Sequence, residues 1–295
     1  MADTRAIARD ARLAHLETLR AAFGGAAVDI TAVASAYRPH HTAEAEAALL
    51  ARLPDAVARL DTLTTDDRTA VRQVLGTLTS GMVLDLVTFP GEDAEHLAAL
   101  GTLADLDRYV YLVAGCVGEF WTVLHAAHRP RIARWDVPRM TTEGVRFGKA
   151  LQMTNVLRDV PSDLRAGRCY LPSAALSAHG LSPHDLLDPA AMPKVRPLYE
   201  ALLHTAAEHY EAAWRYTFAI PRAEWRMRLA CVWPLLIGEA TIGALRRHPN
   251  PLAATAPVKI PRAQVRGILA RSLVAVWSNA ALAAEAARVR GRAIA

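Results

Sequence analysis

The chain has 295 residues, 52% of them hydrophobic, and a formal net charge of +5, enough apolar material for one sizeable core with no need to split. The positive balance would admit nucleic acid, but the arginines are dispersed and no basic cluster alternates with aromatics, so a nucleic-acid partner is not expected. An anionic diphosphate or an anionic membrane surface accounts for the same charge.

Helical periodicity runs throughout, with a weak strand signal only at Cys169 to Leu171, which predicts an all-α protein. The first helix is expected from Ile7 to Phe23, stopped by Gly24-Gly25. A shorter one from Ile30 ends before Pro39, and a longer one starts after Thr42 and meets Pro54. Thr64-Thr65-Asp66-Asp67 caps a helix that reaches Phe89 and breaks at Pro90-Gly91. Next come a helix from about Asp105 to His125 and one that starts after a Thr141-Thr142 cap and ends near Asp163. Ser182-Pro183 opens a short helix, and long amphipathic helices are expected over 197–218, 222–247 and 261–288. No fixed-period repeat is present, which argues against a solenoid.

The helix ending near Asp163 carries the chemistry. Gln152, Asn155, Asp159 and Asp163 follow one another at spacings of three, four and four, which puts them on one helical face. Two carboxylates flanked by two amides make a poor core face. They suit a hard divalent cation, because Mg²⁺ is usually held by one or two carboxylates together with substrate phosphates. Arg158, Arg165 and Arg168 add guanidinium forks that match phosphate oxygens. A solvated row of i,i+4 ion pairs is the bland alternative, but Val156, Leu157 and Val160 on the opposite side place the helix in a core with its polar stripe toward a cavity. Pro161 should kink or end the helix between the aspartates.

Gln152, Asn155, Arg158, Asp159 and Asp163, followed by Gly167, Arg168, Tyr170, Leu171 and Pro172, resemble the second aspartate-rich motif of the squalene and phytoene synthase family, the head-to-head prenyl transferases. The stretch from Asp107 to Gly118 resembles that family's D-x-Y-x-x-x-V-A-G-x-V-G helix. Gly81-Met82 with Asp85-Leu86 resembles a weaker family segment, for which an amphipathic helix with one exposed aspartate is the alternative. Residues 228–238 and 258–262 resemble C-terminal segments of bacterial members. The family's first D-x-x-x-D motif has only a partial counterpart: the spacing from Asp3-Thr4 to Arg12-Leu13 makes Asp3 its second aspartate. The expectation is therefore a single domain over 1–295 that lacks the N-terminal helices of the family.

The resemblance implies an isoprenoid synthase fold, a single helical bundle around a central cavity. It implies a prenyltransferase that condenses two farnesyl diphosphates to presqualene diphosphate and squalene, with Mg²⁺ on Asp159, Asp163 and Asp3 and NADPH as reductant. Phytoene, dehydrosqualene or hydroxysqualene synthesis are alternatives within the family, and the incomplete first motif raises a non-catalytic isoprenoid-binding or subunit role. Gln152, Asn155, Arg158 and Arg168 are the implied contacts to the prenyl diphosphate. Ala114, Gly115 and Gly118 leave one helix side bare, at about 1 kcal/mol per glycine, either for tight helix packing or as a smooth wall for an isoprenoid tail. Tyr109 is assigned the proton handling. Tyr111 and Trp121 would turn ring faces to a carbocation, with core packing as their alternative.

Other signals are set aside. His204, Glu208 and His209 have a spacing one residue too long for the inverted zincin pattern, and His125 with His128 reads as a helix-end pair. Cys116, Cys169 and Cys231 lack any C-x-x-C spacing, which indicates a reducing compartment without disulfides. The charged stretch from Asp3 to Arg12 reads against a signal peptide. The most apolar run, Leu229 to Gly238, is far short of the ~20 residues of a membrane span. A cytoplasmic protein is expected, in solution or peripheral on the inner membrane face.

Overall fold

The computed structural model describes residues 4–40 and 44–294, with side chains to residue 291, and is all-α apart from one two-residue strand pair. Helix α1 (Arg9–Gly24) ends at Gly25, which takes φ 98° and returns its N–H to the Ala21 and Ala22 carbonyls, a left-handed cap that glycine adopts at little cost. Helix α2 (Ile30–Tyr37) starts on Asp29, whose carboxylate accepts from the Thr31 and Ala32 N–H groups. Pro54 falls in the first turn of α4 (Leu53–Ala58), just after α3 (Glu44–Ala51), where its missing N–H is not needed. The expected start after Thr42 lies outside the described residues. Thr64 caps α5 (Thr65–Thr88).

Helix α6 (Leu103–Val110) opens on a reciprocal Thr102–Asp105 capping box. It passes through one π-helical turn, Tyr111–Gly115, into α7 (Cys116–His128). Helix α8 (Val137–Arg158) begins one turn before the expected Thr141-Thr142 cap. Asp136 is the true cap, accepting from the Arg139 N–H, and the Thr142 hydroxyl donates back to the Pro138 carbonyl at 3.2 Å. The predicted break at Pro161 is present: α8 stops, Asp159 sits at φ −97°, ψ 6°, and α9 (Val160–Arg165) starts with the proline in its first turn.

The weak strand signal becomes β2 (Arg168–Cys169), paired in parallel with β1 (Ala98–Ala99). Gly167 enters it at φ 82°, where a Cβ would lie 2.7 Å from the Asp93 carbonyl oxygen, so only glycine fits. After α10 (Ser173–Ser177), the Ser182 signal yields one 3₁₀ turn, His184–Leu187, with Asp185 accepting from the Ser182 N–H and hydroxyl.

Helices α11 (Met192–Ala219) and α12 (Trp225–Arg247) follow. The single helix expected over 261–288 is instead two, α13 (Arg262–Ala275) and α14 (Asn279–Ile294). Fully buried Arg228 explains the break. Its guanidinium donates to the Val276 carbonyl at 2.9 Å, the Ile220 carbonyl at 2.6 Å and Asn279 Oδ1 at 2.6 Å, so the interruption supplies acceptors that a buried cation requires.

Helix α8 is central, with Ala150, Met153, Val156 and Leu157 buried in the main core, each large apolar side chain contributing about 1.5–3 kcal/mol. Helices α1, α2 and α5 hold a second cluster around Leu16, Leu19, Val33 and Leu86. Helices α1, α3, α4 and α5 also border a hollow of about 890 Å³. Two stretches, Leu103–His128 and Arg222–Arg247, are each 26 residues long with mean hydropathy 1.4 in an 18-residue window. Both reach the length and apolarity of a span, which the short run at Leu229 to Gly238 did not announce. The second is 72% buried in that window, as a core helix apolar on all sides must be.

Candidate active site

The end of α8 and the first turn of α9 gather Gln152, Asn155, Arg158, Asp159 and Asp163 around a polar cavity of about 260 Å³, completed by Tyr109 from α6 and Tyr170 after β2. The break at Pro161 keeps the two carboxylates one turn apart, because the Asp163 N–H still donates to the Asp159 carbonyl at 2.9 Å. Arg158 grips Asp159 through two bonds, Nε to Oδ1 at 2.9 Å and Nη2 to Oδ2 at 2.6 Å, a bidentate pairing equally suited to a phosphate.

The tyrosines form the opposite wall. The Tyr109 and Tyr170 rings stack with centroids 4.6 Å apart. The Tyr170 hydroxyl donates to Asp85 Oδ1 at 2.6 Å, and Arg168 Nη1 lies 3.2 Å from Asp85 Oδ2. Burial pushes both phenols well above the ordinary tyrosine range, and the negative charge of Asp85 adds to the effect on Tyr109. Both phenols are neutral at physiological pH.

A second cavity of about 320 Å³ adjoins the first. Val113, Ala114, Val117, Gly118 and Trp121 line it from the π turn and α7, Phe147, Gly148 and Leu151 from α8, and Ala230, Cys231 and Pro234 from α12. Gln152 borders both cavities. A polar chamber and an apolar one thus share one amide side chain. The bare helix side serves packing as well. A Cβ on Gly118 would overlap the Gly144 carbonyl, and one on Gly148 would overlap that of Ala114, so α7 and α8 approach backbone to backbone.

The remaining predicted residues divide clearly. Trp121 lines the apolar cavity, its ring against His125 with centroids 4.1 Å apart, and its indole N–H is buried without a hydrogen-bond partner. Gly115 borders neither cavity; its α-carbon faces Tyr111, Val145 and Lys149. Tyr111 turns away, donating to Glu119 Oε2 at 3.0 Å in a small hollow against α5, where burial, then the Glu119 contact, pushes its phenol up to about 12. Arg168 pairs with Asp85, the acceptor of the Tyr170 hydroxyl, and Asp3 lies outside the described residues. Sequence reasoning left out Tyr170 and Asp85 as site residues, although both stood within recognised motifs. It also passed over Gly144 and Gly148, whose spacing of four on the motif helix was the available signal.

Among the described residues no cluster of three His, Cys, Asp or Glu side chains is assembled to hold a metal. His204 and Glu208 pair at 3.6 Å, while His209 accepts from Arg146 at 3.2 Å. Asp159 and Asp163, with two amides on the same polar cavity, offer only oxygen donors of the kind Mg²⁺ prefers, and too few for a cage without phosphate oxygens. That donor set fits an ion bound jointly with a diphosphate.

The phytoene synthase of Thermus thermophilus is 37% identical over 143 residues, 48% of this chain and 41% of that protein. The 15-cis-phytoene synthase of Enterobacter agglomerans is 32% identical over 137 residues, 46% of this chain and 43% of its own. The chain thus aligns with less than half the length of these relatives. Among solved structures, TcSQS with a bound ligand superposes with TM-score 0.69 at 18% identity, over 95% of this chain and 80% of its own. Squalene synthase HpnC from Alicyclobacillus acidocaldarius gives 0.51 at 21% identity, over 79% and 80%. These likenesses show the isoprenoid synthase fold. The squalene/phytoene synthase profile matches residues 1–264, and the chain belongs to that family.

Proposed function

We propose that the protein joins two prenyl diphosphates head to head, binding each diphosphate in the Asp159–Asp163 chamber and the isoprenoid tails along the Trp121 cavity. The observation that carries this reading is the junction at Gln152, which borders both chambers. A purely polar cavity would suit many anions, whereas one with an apolar chamber on the other side of the same amide suits an anion with a hydrocarbon tail.

Arg158 would bind diphosphate oxygens with the fork that now holds Asp159, and Gln152 and Asn155 would orient the same group through their amides. Mg²⁺ held by Asp159 and Asp163 would neutralise charge on the departing diphosphate. Tyr109, neutral and beside these groups, would hold or pass a proton at its phenol oxygen. Trp121 and Phe147, which line the apolar cavity, would keep water from the tail and offer ring faces to positive charge.

The named relatives are phytoene synthases, so phytoene formation is supported at least as directly as the squalene expected from the sequence. NADPH belongs to the squalene outcome alone. Incubation with labelled C15 and C20 prenyl diphosphates in Mg²⁺, with and without NADPH, followed by organic extraction, separates the outcomes. A condensed product with released diphosphate from one of them is expected. Tight binding of both without any product would leave the isoprenoid-binding role instead.

A further inference from the structure

Arg158 and Asp159 are neighbours in the chain, and neighbours on a regular helix point about 100° apart and do not face each other. Their bidentate pair exists because α8 stops at Arg158. Pro161 lacks an N–H, and its ring would strike the carbonyl four residues earlier, that of Leu157. The buried Tyr199 hydroxyl donates to that carbonyl at 2.9 Å, which satisfies the group that the break leaves over. Asp159 thereby leaves helical geometry, at φ −97° and ψ 6°, and its carboxylate meets the guanidinium beside it.

Both carboxylate oxygens are engaged, Oδ1 by Nε at 2.9 Å and Oδ2 by Nη2 at 2.6 Å. Each oxygen keeps a further lone pair, but a divalent cation bound there would lie against the guanidinium charge. The two side chains are only 31% and 25% exposed, so solvent screens that repulsion incompletely. A diphosphate reverses the balance. Its oxygens accept the same forked donation that Asp159 accepts, its charge offsets that of the arginine, and it supplies oxygen ligands that Asp159, Asp163 and two amides do not.

We infer that Arg158 gates the metal-binding carboxylate: it holds Asp159 until a diphosphate takes over the guanidinium, so a divalent cation binds weakly alone and tightly with the diphosphate. The inference rests on the prenyl diphosphate reading for the nature of the anion. The coupling is reciprocal, so each of the two ligands raises the affinity for the other by the same factor. The chamber then takes up the ion with the substrate rather than ahead of it.

The test is Mn²⁺ binding to the full chain, which shares the oxygen-ligand preference of Mg²⁺, read from the paramagnetic resonance signal of the free ion. No turnover is involved. Without diphosphate, Arg158→Gln should bind Mn²⁺ at least tenfold more tightly than the parent. Arg158→Lys keeps the charge but loses the fork, and should bind at least threefold more tightly. Adding Asp159→Ala should abolish both gains, with circular dichroism confirming that each variant is folded. A C15 prenyl thiodiphosphate should tighten Mn²⁺ binding by a larger factor in the parent than in Arg158→Gln, because only the parent gives up an ion pair. One Mn²⁺ affinity across parent and Arg158 variants, still abolished by Asp159→Ala, would overturn the inference and leave the prenyl diphosphate reading standing. So would a gain in Arg158→Gln that Arg158→Lys does not share, since that reports charge alone. No Mn²⁺ binding by any form, with or without the thiodiphosphate, would overturn both.

Discussion

The Tyr170 hydroxyl donates to Asp85 at 2.6 Å while its ring stacks on Tyr109 at 4.6 Å. The wall of the polar cavity is therefore held from behind by a carboxylate on α5, which places Asp85 in a positioning role. Asp85→Ala should remove the acceptor that fixes the Tyr170 hydroxyl and the carboxylate that pairs Arg168, cost about 1–3 kcal/mol of stability, and lower kcat with little change in KM. Asp85→Asn, which keeps an acceptor, should recover most of both. Thermal melts with steady-state kinetics check this, and equal losses in the two variants would contradict it.

Burial holds the Tyr109 phenol protonated well above its ordinary range. The raised value means that the neutral form persists through pH 7 and into alkaline solution. Activity should therefore show no alkaline loss from this group between about pH 7 and pH 9. Tyr109→Phe should stall the reaction after substrate binding, leaving KM near its original value. Normal product yield from that variant would remove Tyr109 from the chemistry.

Asp159→Ala and Asp163→Ala should each reduce diphosphate release by roughly 10²-fold or more, the scale seen when a group stabilising developing charge is removed. Chelation of Mg²⁺ should give a similar loss, reversed on adding the ion back. Undiminished turnover in either variant would sink the assignment.

Gly118→Ala and Gly148→Ala force a methyl onto the Gly144 and Ala114 carbonyls, so each should cost about 1–3 kcal/mol. Gly76 on α5 has nothing within 4 Å of its Cβ position. Gly76→Ala should be neutral or stabilise by about 0.5–1 kcal/mol. Chemical denaturation of the three variants reads the contrast, and equal effects would contradict the close packing of α7 and α8.

Burial, helped by Arg146 and Lys149, pushes His209 down to about 4. Between its ordinary value and that one, the unfolded chain binds a proton that the folded chain refuses. The contribution to stability is thus full above about pH 6.5 and is lost as pH falls toward 4. His209→Gln should flatten the fall in melting temperature over that interval; an unaltered profile would assign the acid sensitivity elsewhere.

The motif helix was legible because local rules agree along it: a polar stripe at helical spacing, apolar residues opposite, and a proline at the break. The tyrosine wall was less so. The stacking of Tyr109 on Tyr170 and the anchor at Asp85 join residues 61 and 85 positions apart, and periodicity carries no such information. Tyr111 turns toward Glu119 at a π turn, which shifts the phase of the helical face and defeats a reading based on 3.6 residues per turn. The break between α13 and α14 depends on Arg228, roughly fifty residues earlier, and α13–α14 reads as one helix when its own sequence is taken alone.

The binding of one substrate across the polar and apolar chambers that share Gln152 is tested most directly by the structure of the protein soaked with Mg²⁺ and a non-ionising thiodiphosphate analogue of a prenyl substrate. The diphosphate is expected between Arg158, Asp159 and Asp163, with the tail running past Gln152 toward Trp121. An analogue bound elsewhere, or with its tail directed away from the Trp121 cavity, would contradict the account.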